Sequence, residues 1–233
     1  MKDNIITALD FDRYDEAVGL VGQLPEAVFF KVGLQAFLKF GEPLIGHLQE
    51  QHKKLFLDLK FKDIPNTVYG AVRSALRYSP HFLTIHLSGG AEMIRRAVEA
   101  AAGKPGLTIL GVTVLTSLSD TDLAETGSSL STADAVLRLC ELGVRSGIRA
   151  VVCSPLEIEP IRKRFGRDLL LVTPGIRPAW SAKGDQKRIF TPRRAIAAGA
   201  DYLVIGRPIS RHQDPAKAFS LILEEITPPY PNP

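Results

Sequence analysis

The stretch LFLDLKFKDIPNT, Leu55 to Thr67, runs from an apolar strand into the start of a helix near Pro65, and charges crowd the turn between them. Asp58, Lys60, Lys62 and Asp63 fall within six positions. Such charges are costly to bury unless they pair. The same rhythm recurs in both directions along the chain. Further apolar runs are IITAL (5–9), VFFKV (28–32), FLTIHL (82–87), TILGVTVL (108–115), AVVCS (150–154), LLLVT (169–173) and YLVIG (202–206). Most are too uniformly apolar for a sheet with one wet face, so they read as parallel strands covered on both sides.

Helical stretches lie between these runs. TPRRAIAAGA has Thr191 as N-cap, Pro192 in the first turn and Gly199 at the end. DPAKAFSLILEEI repeats the Asp-Pro start at Asp214 and Pro215, and STADAVLRLCELG starts at Ser131 or Thr132 and ends at Gly143. Eight strand–helix units predict an α/β fold of the (β/α)₈ TIM-barrel type, one domain over residues 1–233. A doubly wound open sheet is the alternative. No G-x-G-x-x-G follows the first strand and no Walker P-loop occurs, which weakens dinucleotide and P-loop readings. The tail TPPYPNP cannot continue a helix, and residues 228–233 are expected to be flexible.

In such barrels the active site sits where strands end. Here the apolar runs stop at Asp10, Lys31, Asp58 with Lys60, His86, Thr116, Ser154, Thr173 and Gly206-Arg207. Period-two alternation puts Asp58 and Lys60 on one face. Neighbouring strands lie about 4.8 Å apart, so Lys31 can approach Asp58. Asp63 lies beyond the strand, where capping the next helix and serving a site are both open. At the last strand, Gly206 permits close backbone approach and Arg207 offers a fork for phosphate. The long loop PGIRPAWSAKGDQKRIF, residues 174–190, offers Arg177, Lys183 and Gln186 to an anion. It reads as a lid or as a variable surface loop.

The 233 residues, 45% hydrophobic and 23% charged, have an ordinary globular composition. A net charge of +4 suits anionic ligands without demanding nucleic acid. The basic pairs are scattered, and aromatics make up only 7%, so a nucleic-acid-binding stripe is not indicated. The two cysteines, Cys140 and Cys153, have neither disulfide-framework nor zinc spacing. His47, His52, His81 and His212 show no metal or triad spacing, and His86, near the site, is read in a structural hydrogen-bonding role in preference to a catalytic one. No signal-peptide pattern opens the chain and no apolar run reaches membrane-spanning length, so a soluble cytoplasmic protein is expected.

DLKFKDIPNT (58–67) resembles the signature of the orotidine 5′-phosphate decarboxylases. ALD (8–10), KVG (31–33), HLSGG (86–90), GVTVLTS (111–117), VTPGIRP (172–178), GDQKRI (184–189) and VIGRPI (204–209) extend that resemblance along the chain in the family's order. Related barrels that decarboxylate or condense sugar phosphates share D-x-K-x-x-D. Those relatives use magnesium and carry an acid on the second strand, where Lys31 stands here. The resemblance therefore implies the metal-free, cofactor-free decarboxylase, with the magnesium-dependent relatives as the alternative.

It also implies roles. Lys60 would protonate C6 of the pyrimidine, with Asp58 beside the departing carboxylate. Lys31 and Asp63 would complete the charged network, and Lys31 and Asp10 would lie near the ribose. Thr116 would contact the pyrimidine. Gln186, Arg207, Arg177 and the backbone around Gly206 would hold the phosphate. Asp63 and Thr67 would reach into the site of a second subunit, making a homodimer. A Schiff-base role for Lys60 is disfavoured, because a lysine held charged by carboxylates is a poor nucleophile.

Overall fold

Parallel strands need a crossover between them, and amphipathic helices supply it here, so the sheet can close on itself with helices outside. The computed structural model describes residues 1–181 and 190–227. The strands are β1 (Ile5–Ala8), β2 (Phe29–Gly33), β3 (Lys54–Phe61), β4 (Phe82–His86), β5 (Thr108–Val112), β6 (Ala150–Val152), β7 (Leu170–Thr173) and β8 (Tyr202–Ile205). They pair in parallel in chain order, and β8 returns to β1, so the barrel is closed. The open-sheet alternative is thereby excluded. The expected tail, 228–233, lies outside the described residues.

Helices α1 (Tyr14–Gln23), α2 (Leu34–Glu50), α3 (Pro65–Ala75) and α4 (Ala91–Ala101) follow the first four strands. Next, α5 (Asp120–Glu125) and α6 (Thr132–Arg145) follow β5, α7 (Ile158–Phe165) follows β6 and α8 (Pro192–Ala198) follows β7. Beyond β8 come the short α9 (Arg207–Ser210) and α10 (Pro215–Ile226). The caps match the sequence signals. Thr191 Oγ1 accepts from Arg194 N at 3.3 Å, and Asp214 Oδ1 accepts from Lys217 N at 2.9 Å. Ser131 rather than Thr132 caps α6, which continues two residues past Gly143. Gly has no obligation to end a helix unless it turns left-handed, as Gly199 does at φ 113°.

Alternation along each strand divides the core in two. Residues such as Ile5, Phe30, Leu57 and Leu83 face the helices. Ile6, Phe29, Phe56, Phe82, Leu110, Val172 and Val204 fill the barrel interior. Around Phe82 the rings of Phe29, Phe56 and Tyr202 stand at centroid distances of 4.9, 5.9 and 5.1 Å. Each fully buried Phe contributes about 1.5–3 kcal/mol of transfer free energy. This aromatic floor has a polar storey above it. Two residues beyond Phe29, Phe56 and Phe82 on their strands come Lys31, Asp58 and Thr84.

Candidate active site

At the C-terminal end of the barrel a cavity of about 980 Å³ opens above this polar storey. Asp10, Lys31, Asp58, Lys60, Thr116, Arg177, Gly206 and Arg207 all line it. They come from the ends of six different strands and the loops that follow. That convergence is what a barrel produces when charged residues end its strands.

The charges form a chain. Lys31 Nζ stands 3.1 Å from Asp10 Oδ1 and 3.5 Å from Asp58 Oδ2. Asp58 Oδ1 lies 2.7 Å from Lys60 Nζ, giving the order Asp10–Lys31–Asp58–Lys60. Gly33 leaves room for it, since a Cβ there would lie 3.0 Å from Lys31 Nζ. Burial acts to raise the pKa of Asp58, but the neighbouring Lys31 and Lys60 outweigh it and hold the carboxyl below its ordinary range. Burial likewise acts to depress Lys31, and Asp58 and Asp10 reverse it, so that ammonium titrates above its ordinary value. Both groups are therefore charged at neutral pH.

Lys60 reaches Asp58 by an irregular route. Its φ is +50°, in the left-handed region that non-glycine residues rarely adopt. The β3–β4 register shifts between Leu57 and Phe61, so the strand bulges there. Bulges next to active sites re-aim a side chain, which is the effect here. Plain alternation therefore named the right partner for Lys60 although the backbone is not regular. The displaced Lys60 N–H donates to Thr84 Oγ1 at 2.8 Å, and Thr84 Oγ1 donates to Asp58 Oδ1 at 3.0 Å. Sequence reasoning passed over Thr84 inside an apolar run. The signal was the repeated spacing Phe-x-Lys, Phe-x-Asp and Phe-x-Thr at 29–31, 56–58 and 82–84.

Asp63 and Thr67 stand apart from this cavity. Both are exposed, and neither lines it. Nor does Asp63 cap α3: the N-cap is Ile64, without a side-chain hydrogen bond, and Asp63 Oδ1 accepts from Ile64 N at 2.6 Å. Lys62 is exposed, as expected of a solvated residue. His86 makes no side-chain hydrogen bond among the described residues, contrary to its assigned structural role; burial, with Lys62 and Lys60 nearby, pushes its pKa down. Arg177 is buried and its N–H donates to Phe190 O at 2.9 Å. Gln186 and Lys183 lie outside the described residues. Both cysteines are buried; burial pushes the Cys140 thiol up to about 12 and Cys153 well above its ordinary value, so neither is a ready nucleophile. Among the described residues no group of three or more His, Cys, Asp or Glu side chains could hold a metal.

Residues 3–222 match the family model for orotidine 5′-phosphate decarboxylase / HUMPS proteins. The chain belongs to that family. It is similar to the orotidine 5′-phosphate decarboxylase of Gloeothece citriformis, 42% identical over 228 residues and covering 97% of this chain and 98% of that one. The enzyme of the same name from Actinobacillus succinogenes is 46% identical over 225 residues, covering 95% and 97%. Among solved structures, orotidine 5′-phosphate decarboxylase from Lactobacillus acidophilus superposes with a TM-score of 0.86 at 38% identity, covering 97% of this chain and all of that one. Asp10, Lys31, Asp58 and Lys60 all lie within the span 3–222 that matches the family model.

Proposed function

We propose that this protein decarboxylates orotidine 5′-phosphate to uridine 5′-phosphate in de novo pyrimidine biosynthesis, without metal or organic cofactor, in the cytoplasm. The observation that carries the reading is the Lys31–Asp58–Lys60 array at the base of a cavity with Arg207 and Arg177 in its wall. No helix among the described residues is long and apolar enough to cross a membrane.

In this chemistry the bond from C6 to the carboxylate breaks, carbon dioxide leaves, and the electron pair stays on C6. The ring offers no sink for it, so fixed charge must stabilise it. The Lys60 ammonium supplies that charge and then its proton, closing the product's C6–H bond, and solvent reprotonates the amine. Asp58 stands beside the departing carboxylate. Two unit charges about 4 Å apart repel by roughly 4 kcal/mol at an effective dielectric of 20. Enzymes lower barriers by about 8–23 kcal/mol, so repulsion is the smaller contribution and stabilisation by Lys60 the larger. Asp10 and Lys31 orient the ribose, Thr116 contacts the pyrimidine, and Arg207, Arg177, Gln186 and the backbone at Gly206 hold the phosphate. Binding energy from the remote phosphate holds the reacting end in place; the lid reading of the 174–190 loop turns on residues 182–189, which lie outside the described residues.

The protein acts as a homodimer with shared sites. Exposure of Asp63 and Thr67 away from their own cavity supports their serving a neighbouring subunit. The deciding experiment is to add orotidine 5′-phosphate to metal-free protein and follow the pyrimidine absorbance. Conversion to uridine 5′-phosphate is expected; an unchanged spectrum with folded protein defeats the proposal.

A further inference from the structure

One fully buried hydroxyl sits behind the charged array, outside the wall of the cavity. Thr84 is 0% exposed and does not line the cavity. Its Oγ1 accepts from Lys60 N at 2.8 Å and lies 3.0 Å from Asp58 Oδ1. A hydroxyl has one proton, and an ionised carboxylate only accepts. The direction is thus fixed: Lys60 N–H into Thr84, Thr84 O–H into Asp58.

Those two bonds join the two least regular parts of the site. Lys60 N–H is the donor displaced by the bulge, and a buried N–H without an acceptor is costly. Asp58 Oδ1 receives Thr84 O–H and Lys60 Nζ together, while Oδ2 faces Lys31. Lys60 is therefore held at both ends, its backbone through Thr84 and its ammonium through Asp58, with Thr84 and Asp58 bonded to each other. Phe82, two residues earlier on β4, anchors the strand in the aromatic floor.

We propose that Thr84 is a positioning residue, fixing the Asp58 carboxylate and the left-handed Lys60 backbone to one point on β4. It touches no substrate and acts through both neighbours. The inference rests on the reading of Lys60 as proton donor.

The test compares Thr84→Val, Thr84→Ala and Thr84→Ser with Lys60→Ala, each checked for folding by thermal melting. Misplacement of a reacting group by an ångström costs on the order of 100-fold, so the Val and Ala variants should lose about 10- to 100-fold in kcat. KM should change little, because the phosphate and ribose contacts are untouched. Thr84→Ser, which keeps the hydroxyl, should restore most of the loss. The acidic limb of the kcat profile should move to higher pH in Thr84→Val, since Asp58 loses a donor that favours its charged form. Parental kcat in either folded hydroxyl-free variant overturns the proposal, as does a loss confined to KM or a Ser variant as impaired as Val. Failure of both Val and Ala to fold, with Ser folded, overturns it too, because the hydroxyl then serves the fold. An active Lys60→Ala protein would instead defeat the proton-donor reading, a separate result.

Discussion

Lys31 Nζ lies 3.5 Å from Asp58 Oδ2, with each side chain only 11% exposed. Neither charge would be tolerable there alone, and loss of one partner of such a pair costs about 3–5 kcal/mol. Stability therefore depends on the charge of both. Asp58 titrates below its ordinary value, so its contribution is complete above the unfolded pKa of about 4 and is lost as pH falls through the lower folded value. Lys31 titrates above its ordinary value, so its contribution is complete below about pH 10.4 and is lost as pH rises through the folded value. Melting temperatures measured from neutral pH down to about pH 3 should fall less steeply in Asp58→Asn than in the parent. Equal slopes would show that Asp58 is not the linked group.

Lys60→Ala should fold and melt near the parental temperature while losing nearly all turnover. The side chain ends at the cavity and is 29% exposed, so little packing depends on it. Turnover close to parental in a single-turnover assay would remove Lys60 from the mechanism.

The proposed sharing of sites between subunits can be tested by complementation. Lys60→Ala and Asp63→Ala proteins should each be inactive, and mixing them should recover activity in heterodimers that carry one intact site. No recovery, with subunit exchange confirmed by mass spectrometry of labelled chains, would count against Asp63 acting across an interface.

Chelation separates the decarboxylase from the magnesium-dependent barrels. Exhaustive treatment with a chelator should leave the rate of uridine 5′-phosphate formation unchanged. Strict recovery on adding magnesium would move the assignment to the sugar-phosphate relatives.

A structural clip lies away from the cavity. Arg162 donates to Gly199 O at 2.8 Å, Gly166 O at 2.7 Å and Leu169 O at 2.6 Å, and pairs with Asp201, tying α7 to the loops before β7 and β8. Arg162→Ala should destabilise by about 3 kcal/mol in denaturant titration, because the partly buried Asp201 loses its close ion pair and keeps Arg167 at 3.7 Å and the Leu171 N–H. Activity per folded molecule should be unchanged; a stability loss under about 0.5 kcal/mol would show that the clip is replaceable by water.

The barrel was legible because each strand is an apolar run that stops at a polar residue. Lys31, Asp58 and Arg207 could be read for the same reason. The bulge at Lys60 could not, since LFLDLKF has neither Gly nor Pro to mark it, and the hydrogen bond its displaced N–H makes, to Thr84 Oγ1, is a tertiary one. Thr84 itself was hidden because a threonine in FLTIHL is an ordinary β-branched strand residue. Whether Asp63 caps a helix was undecidable from spacing, and the backbone resolved it by making Ile64 the N-cap.

The rings of Phe29, Phe56 and Phe82 pack below the charges and carry no group that can relay a proton, whereas Lys60 opens to the cavity above them. Under the proposed chemistry every cycle consumes one proton from Lys60. Its replacement must arrive from the mouth, by the doorway that admits the nucleotide and releases the product. Reloading the acid is thereby scheduled by traffic through that doorway: each visit of a nucleotide can spend the donor only once.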